Sequence, residues 1–326
     1  MTTPADTDVL AARVVAALRE AGLDGEASAM EPLPGGHSGL TYRVAVGDRE
    51  LVVKAVPPGQ RAVGRHDMLR QARILDALAG TDVPVPAVRA SEDPGDGEGQ
   101  GWFAMDLVRG EALEPVLDDP AVPADLAAAR MRRAAEVLPR LHGVPLDSLP
   151  VDSEPLHPFD ELARWVRTMN AVPEELVPGA VDLRRVLSAD VPDPVDPVLV
   201  HGDYRLGNII SAGTEPAALI DWEIWSPGDP RVELGWFLVF ADGSNFPGVG
   251  REVPGLPSTA ELVGLYAGPT ELPDLAWFDA LGRFKMAAIM GHNLRRHREG
   301  RHHDPDQEKL PATIERLIAT GRDRLS

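Results

Sequence analysis

Apolar positions along this chain follow two different periods, and the change falls near residue 110. A first amphipathic stretch puts Val9, Leu10, Val14 and Leu18 on one stripe, with Asp6 or Thr7 as the capping residue and Gly22 near the end; the pattern predicts a helix running to Leu23. The segments LTYRVAVG (residues 40–47) and ELVVKAV (50–56) then show strand character around a Gly47-Asp48 turn, which predicts a β-hairpin. A helix is expected over 66–78. The proline-punctuated VPVPAV follows, then an acidic, glycine-rich loop over 91–101 and a strand, WFAMDLV, over 102–108. Beyond Gly110 the pattern is helical over 123–142, 158–170, 258–267, 273–299 and 305–325, interrupted once by a β-like block between Val198 and Asp221. Two parts are expected: a β-rich part over 1–110 and a mainly helical part over 111–326.

Length and charge narrow the function. A chain of 326 residues buries enough surface for one two-lobed domain or two modest ones. Its longest strongly apolar run, residues 234–241, is less than half of the ~18 residues a membrane span needs, so no membrane partner is expected. The absence of Cys excludes disulfides, thiolate nucleophiles and Cys-zinc sites. The first residues, MTTPADTDVL, have no basic or apolar leader pattern, so a cytoplasmic location is expected. A formal charge of −19 repels a polyanion, and nucleic acid is not an expected partner. One small anionic cofactor remains compatible where Mg²⁺ and a few local donors carry the interaction.

The strongest chemical signal is PVLVHGDYRLGNII, residues 197–210. An apolar strand delivers His201, Gly202 and Asp203 to a loop, and Asn208 follows five residues after Asp203. Phosphoryl transfer to a hydroxyl needs a carboxylate to accept the proton and a hard oxygen ligand for Mg²⁺, and this spacing supplies both. Asp203 is the candidate base and Asn208 the candidate ligand. Thirteen residues later a second apolar strand, PAALIDWEIW, is expected to end in Asp221 and Glu223 and to bring a further carboxylate to the same metal. Turn formation is the plain alternative for Asp203 and Asn208. His201, between Val200 and Gly202, reads as a packed scaffold residue in preference to a metal ligand or base. Glu223, expected on the opposite strand face from Asp221, reads equally well as structural.

These motifs carry a resemblance. HGDYRLGN followed by IDWE and GDPRVELGW resembles the aminoglycoside phosphotransferase and choline kinase-like group, relatives of the protein kinases. More narrowly, the chain resembles the kinase-like domain at the N-terminus of certain acyl-CoA dehydrogenases. GGHSGLTYRV, LVVKAVPPG, HDMLRQARILDAL, TDVPVPAV and FDALGRFKMAAIMGH fall in the family's order, so the likeness covers nearly the whole chain. The resemblance implies a two-lobed, protein-kinase-like α+β fold with a smaller N-terminal lobe (1–110) and a helical C-terminal lobe (111–326). It also implies Asp203 as catalytic base, Asn208 and Asp221 as Mg²⁺ ligands, and transfer of the γ-phosphoryl group of ATP, with GTP as the alternative donor, to a hydroxyl.

Within that pattern Gly35, Gly36, Ser38 and Gly39 read as a backbone cover for phosphate oxygens, although the order is not G-x-G-x-x-G and a plain turn explains it about as well. Lys54 reads as the lysine that reaches the α and β phosphates, against the alternative of a solvated lysine on a half-buried strand. The segment FAMDLVRG resembles the hinge, where backbone groups of Met105 to Leu107 receive the adenine edge. One departure stands out: where relatives carry a Glu that pairs with the lysine, this chain has Gln71. Its helix face, shared with Ile74, Leu75 and Leu78, points it inward, and a neutral amide weakens the clamp on Lys54. Asp67 lies one turn earlier as a weaker substitute. His142 reads as a helix C-terminal cap or core residue.

Residues 283–303 hold six basic side chains against Glu299 alone, with four histidines. One reading is that they complement a helix C-terminus; the sharper one is that they hold an anionic acceptor such as a hydroxy acid or hydroxyacyl-CoA. A cationic aminoglycoside acceptor, drawn by Glu252, Glu261, Asp274 and Asp279, is the competing expectation. Zinc binding by the histidines is not expected. Three classes are carried forward: a Mg²⁺-nucleotide-dependent small-molecule kinase, a nucleotide-binding pseudokinase, and a metal hydrolase built on His201, Asp203 and Asp221. The expected partners are a nucleotide and a small-molecule acceptor, with the chain as monomer or homodimer.

Overall fold

A computed structural model describes residues 4–33, 39–60, 67–93, 95, 100–118 and 121–326. The chain divides into two compact units. The first comprises Met1–Gly110, Asp147–Pro150 and Ala217–Ile224; the second comprises Glu111–Leu146, Val151–Pro216 and Trp225–Ser326.

In the first unit, helix α1 (Pro4–Glu20) starts ahead of the expected caps at Asp6 and Thr7, because a proline in the first turn brings a pre-set φ and no N–H to satisfy. It ends before Leu23, where Gly22 takes φ +83° and the N–H groups of Gly22 and Leu23 close on the carbonyls of Arg19 and Leu18. The remaining elements are β1 (Glu31–Pro32), β2 (Leu40–Val46), β3 (Arg49–Ala55), α2 (Met68–Leu78), β4 (Val88–Glu92) and β5 (Trp102–Asp106). The strands form one antiparallel sheet in the order β1-β2-β3-β5-β4. Strands β2 and β3 pair from Leu40↔Ala55 to Val46↔Arg49 around the predicted turn. The sequence pattern does not predict β4. Ser91 and Glu92, expected in a loop, pair instead with Phe103 and Trp102.

Period-two alternation decides what each sheet face does. Leu51, Val53 and Ala55 point to one face and join Leu10, Val14 and Leu18 of α1 in a buried core. Lys54 therefore points to the other face. Helix α2 begins at Met68, with the Asp67 carboxylate accepting the Arg70 N–H at 3.0 Å; the expected start at His66 lies outside the described residues.

From residue 111 onward the elements are α3 (Ala124–His142), α4 (Pro158–Asn170), α5 (Ala180–Ala189), β6 (Val198–Val200), β7 (Ile209–Ala212), β8 (Glu215–Leu219), β9 (Ser226–Gly228), α6 (Pro230–Val239), α7 (Thr259–Ala267), α8 (Leu275–Arg298) and α9 (Pro311–Asp323). Two helices, α5 and α6, escape the sequence reading. Residues 234–239 of α6 are all buried, so the helix has no polar side and hence no period to read. The helix expected over 305–325 starts at Pro311, after a short 3₁₀ turn. Strand β6 pairs antiparallel with β9, Val198 opposite Gly228, which anchors both ends of the 201–225 excursion that carries the motif.

Helices α6 and α8 approach so closely that a Cβ on Gly235 would lie 2.4 Å from the Phe278 carbonyl oxygen, and one on Gly282 would lie 2.8 Å from the Gly235 carbonyl oxygen. Only glycine permits this approach at either position. It brings the next turn of α8, with Lys285, beside Trp236. Among the described residues no helix is long and apolar enough to cross a membrane.

Candidate active site

The turn after β6 is held from inside the second unit. Gly202 takes φ +87°, a conformation open to glycine without strain, and directs the chain into the loop. Beneath it lies the buried Glu233 of α6, whose carboxylate accepts the N–H groups of Gly202 at 2.7 Å and His201 at 2.9 Å. His142 Nε2 meets the same carboxylate at 3.2 Å, and its Nδ1 meets Tyr266 Oη at 2.8 Å. Burial opposes ionisation of Glu233, but the His142 hydrogen bond and the charges of His142 and His201 hold its carboxyl below the usual range. Helix α6 is fixed at its start by Asp229, which accepts the Arg231 N–H and forms a buried pair with the Arg231 guanidinium.

On this support Asp203 is oriented by two hydrogen-bond donors and one ion pair. Trp236 Nε1 donates to Oδ1 at 3.0 Å, Asn208 Nδ2 donates to Oδ2 at 2.7 Å, and Arg205 Nε lies 3.4 Å from Oδ1. The Asp203 N–H donates to His201 Nδ1 at 3.2 Å. His201 is fully buried, so it serves as a scaffold for the loop. Asn208 also donates to the Asp203 carbonyl, at 2.9 Å. With both amide hydrogens used, its Oδ1 is left as the acceptor, the atom a hard cation takes.

Two further ionisable groups back the same loop. Lys285 of α8 donates to the Gly202 carbonyl at 2.6 Å, with its ammonium 3.8 Å from the Trp236 ring centroid. Glu114 accepts the Gly207 N–H at 3.3 Å and lies 4.0 Å from Arg205, and its Oε1 is buried with no hydrogen-bond partner. Burial pushes the Glu114 carboxyl up to about 8, against the opposing charge of Arg205.

The first unit holds a separate cluster around Lys54. Its Nζ donates to Gln71 Oε1 at 3.2 Å and to Asp221 Oδ1 at 3.2 Å, and it lies 3.9 Å from Glu223 Oε1. Gln71 is buried and points inward as its helix face requires. Asp67 does not substitute for it, because its carboxylate is spent on capping α2 and on Arg73. The second strand of the motif ends at Leu219, two residues short of the expected Asp221. Asp221 instead takes φ +69°, a left-handed conformation uncommon for a residue with a side chain. Strict alternation no longer applies beyond it, so Glu223 shares with Asp221 the approach to Lys54 that the strand pattern denied it.

A small, partly open pocket adjoins this cluster, lined by Lys54, Gln71, Phe103, Met105, Asp221 and Trp222 among others. The Asp106 and Leu107 N–H groups are bonded to the carbonyls of Ala87 and Glu50, both at 2.9 Å. Leu107 therefore has its carbonyl, and not its N–H, to offer a ligand. Gly36 and Ser38 lie outside the described residues. Gly39 is a site of close packing: a Cβ there would lie 2.7 Å from Met68 Cε and 3.2 Å from the Ala55 carbonyl oxygen.

The basic stretch 283–303 is largely neutralised within the unit. Arg283 bonds Asp279, Asn245 and Thr320; Arg298 pairs with Glu308, and Arg301 with Glu299. Asp279, considered above as a lure for a cationic acceptor, is buried between Arg283 and Arg324. Among the described residues no group of three or more His, Asp or Glu side chains is placed to hold a metal by itself. Glu233, Trp236, Arg205 and Glu114 have no role in the sequence reading. GDPRVELGW contains the first two, but nothing in its spacing shows that an acid and an indole three residues apart face the Asp203 loop.

The fold is that of the protein-kinase-like aminoglycoside phosphotransferases. A candidate aminoglycoside phosphotransferase from Ralstonia eutropha superposes with a TM-score of 0.79 at 22% identity, covering 98% of both chains. The complex of a 2″-aminoglycoside phosphotransferase with GDP and kanamycin superposes at 0.62 with 17% identity, covering 95% of this chain and 98% of that one. Residues 29–255 match the phosphotransferase enzyme family (APH), and the chain belongs to that family. It is also similar to acyl-CoA dehydrogenase family member 11 of Pongo abelii, 26% identical over 302 residues, which cover 88% of this chain and 38% of that protein. The chain spans less than two fifths of the length of the curated relatives it matches first.

Proposed function

We propose that this chain transfers the γ-phosphoryl group of a Mg²⁺-bound nucleotide, ATP with GTP as the alternative donor, to a hydroxyl of a small molecule. The observation that carries the reading is the Asp203 carboxylate: one oxygen bonded by Trp236, the other by Asn208, with a quarter of the side chain still exposed. Such a group is pre-oriented to accept a proton from an incoming hydroxyl. As the acceptor oxygen bonds to the γ-phosphorus, its proton passes to Asp203 and the bond to the β-phosphate oxygen breaks, leaving the nucleoside diphosphate. Lys54, with Gln71 and Asp221 setting its position, holds donor phosphate oxygens.

The oxygen donors present suit a hard cation: the committed amide of Asn208 leaves Oδ1, and Asp221 offers a carboxylate. Asn208 and Asp221 are the residues we assign to Mg²⁺, which when bound offsets the charge of the phosphate oxygens. The solved GDP–kanamycin complex supports a nucleotide as donor.

For the acceptor we favour an anionic hydroxy acid or hydroxyacyl-CoA. The acyl-CoA dehydrogenase relatives support this choice. The basic stretch lends it little, because Arg283, Arg298 and Arg301 are paired with acids of the same unit. An antibiotic acceptor is the alternative that the structural neighbours suggest. Gln71 favours a second reading, nucleotide binding without transfer. The hydrolase built on His201 finds no support, since that ring is buried and engaged by the Asp203 N–H.

Incubating the protein with Mg·ATP or Mg·GTP and a panel of hydroxy acids, hydroxyacyl-CoAs and aminoglycosides tests the reading. Mass spectrometry is expected to show one phosphoryl group gained by an anionic acceptor. Phosphorylation of an aminoglycoside alone would reassign the acceptor. Nucleotide-induced thermal stabilisation with no phosphorylated product would establish the pseudokinase.

A further inference from the structure

Lys285 is a buried amine that the reaction above does not use. It lies on α8, far along the chain from the motif, and the close approach of α8 to α6 puts it over Trp236. Its ammonium makes two contacts that converge on Asp203. The hydrogen bond to the Gly202 carbonyl, at 2.6 Å, holds the peptide that links Gly202 to Asp203. The same peptide run is also held by Glu233, through the N–H groups of His201 and Gly202. The second contact is the Trp236 ring, 3.8 Å from the ammonium to its centroid, with the Trp165 ring 5.2 Å away. A cation over an indole face draws electron density from the ring and makes its N–H a stronger donor. That N–H is the one bonded to Asp203 Oδ1.

We propose that Lys285 is a positioning residue for Asp203, acting through the Gly202 peptide and through the Trp236 N–H in its charged form. The proposal rests on the reading of Asp203 as the base and adds to it the group that sets the orientation of that base. The environment of Lys285 gives the arrangement a pH dependence. Burial is the leading influence and pushes the amine down to about 8, helped by Arg164 of α4 and opposed by Asp203, Glu161 of α4 and Glu233 of α6. Loss of the proton above that pH removes the cation from the indole and weakens the bond to the Gly202 carbonyl.

The test compares wild type with K285M, K285R and D203N, following phosphate release from Mg·ATP with water as acceptor. The Trp236 indole N–H is followed in parallel by NMR of tryptophan-labelled protein, its resonance among the six indoles assigned with W236F. K285M keeps the apolar stem, so a packing role would leave kcat unchanged; we expect kcat to fall roughly ten- to hundredfold with the nucleotide KM moved less than about threefold. K285R, always charged, is expected to retain most of kcat and to move the alkaline limb of the pH profile upward. The Trp236 resonance is expected to titrate near pH 8 in wild type and to stay flat across that range in K285R. Wild-type kcat in K285M, or a Trp236 resonance indifferent to pH, overturns the role of Lys285. If K285M does not fold, an alkaline limb unmoved in K285R overturns it. Full activity in D203N overturns the reading of Asp203 instead, and in that case the NMR titration still decides whether Lys285 polarises Trp236.

Discussion

The Asp203 loop and the Lys54 cluster are two ways of positioning a charged side chain. Asp203 is held by neighbours close in sequence, Asn208 and Arg205, and by one buried layer beneath them, Glu233, Trp236 and Lys285. Lys54 stands on a strand whose register fixes its face, but its partners come from 17 residues away in Gln71 and 167 residues away in Asp221. The Asp203 carboxylate is over-determined by contacts from several elements, whereas the lysine shares one amide and two carboxylates. With the neutral Gln71 beside it, the negative charge nearest Lys54 comes from Asp221 and Glu223. Substituting either kind of site should therefore have different consequences.

The sharpest contrast sets D203N against K54M. D203N is expected to lower turnover by roughly 10²-fold or more while leaving nucleotide affinity intact, since it removes a proton acceptor and keeps the shape. K54M is expected to weaken nucleotide binding by about tenfold or more through loss of a charge-assisted contact. Steady-state kinetics and nucleotide titration read both, and equal losses of affinity in the two variants would break the comparison.

Glu233 tests how far the loop depends on its buried layer. E233A leaves two N–H groups and His142 without their acceptor, and roughly 3 kcal/mol or more of folding stability should be lost in denaturant melts, with turnover falling alongside. An effect confined to turnover would mean that the layer orients the loop without stabilising it.

Gln71 sharpens the other side. Q71E supplies a charge-assisted bond to Lys54 worth about 1 kcal/mol over the neutral one, so KM for Mg·ATP is expected to fall a few-fold with kcat changing less. A rise in KM would show that Asp221 and Glu223 already satisfy the lysine.

The smallest effect on turnover belongs to Glu114, whose signature lies in stability. Its folded carboxyl titrates near 8, well above its ordinary 4.5, so the folded state keeps a proton that the unfolded chain releases between those values. Its contribution to stability therefore falls as pH rises from about 4.5 to 8. E114Q removes that slope, and its melting temperature is expected to gain on wild type between pH 5 and pH 8, on the order of 3 °C at the upper end. A constant difference across that range would show that Glu114 is ionised in the fold.

Much of this was legible in the sequence. The β2–β3 hairpin, the inward face of Gln71, the buried His201 and the Asp203–Asn208 loop follow from spacings within a few residues, where backbone geometry leaves few alternatives. Helix α6 was not legible, because a helix buried on nearly all sides has no amphipathic period. The fate of the basic stretch was legible only in part: Asp279 lies one helical turn before Arg283, a spacing the sequence shows, whereas Arg298 finds Glu308 ten residues on, beyond the end of its helix.

What the chain by itself determined is which atoms could do chemistry and which local turns present them. Gly202 bends where only glycine bends freely, and Asn208 reaches back five residues to the acid it follows. Tertiary structure decided the company those atoms keep. The left-handed turn at Asp221, the glycine-permitted contact of α6 with α8 and the ammonium over Trp236 each depend on side chains meeting across large sequence separations. Such meetings are set by close packing, and no spacing along the chain encodes them.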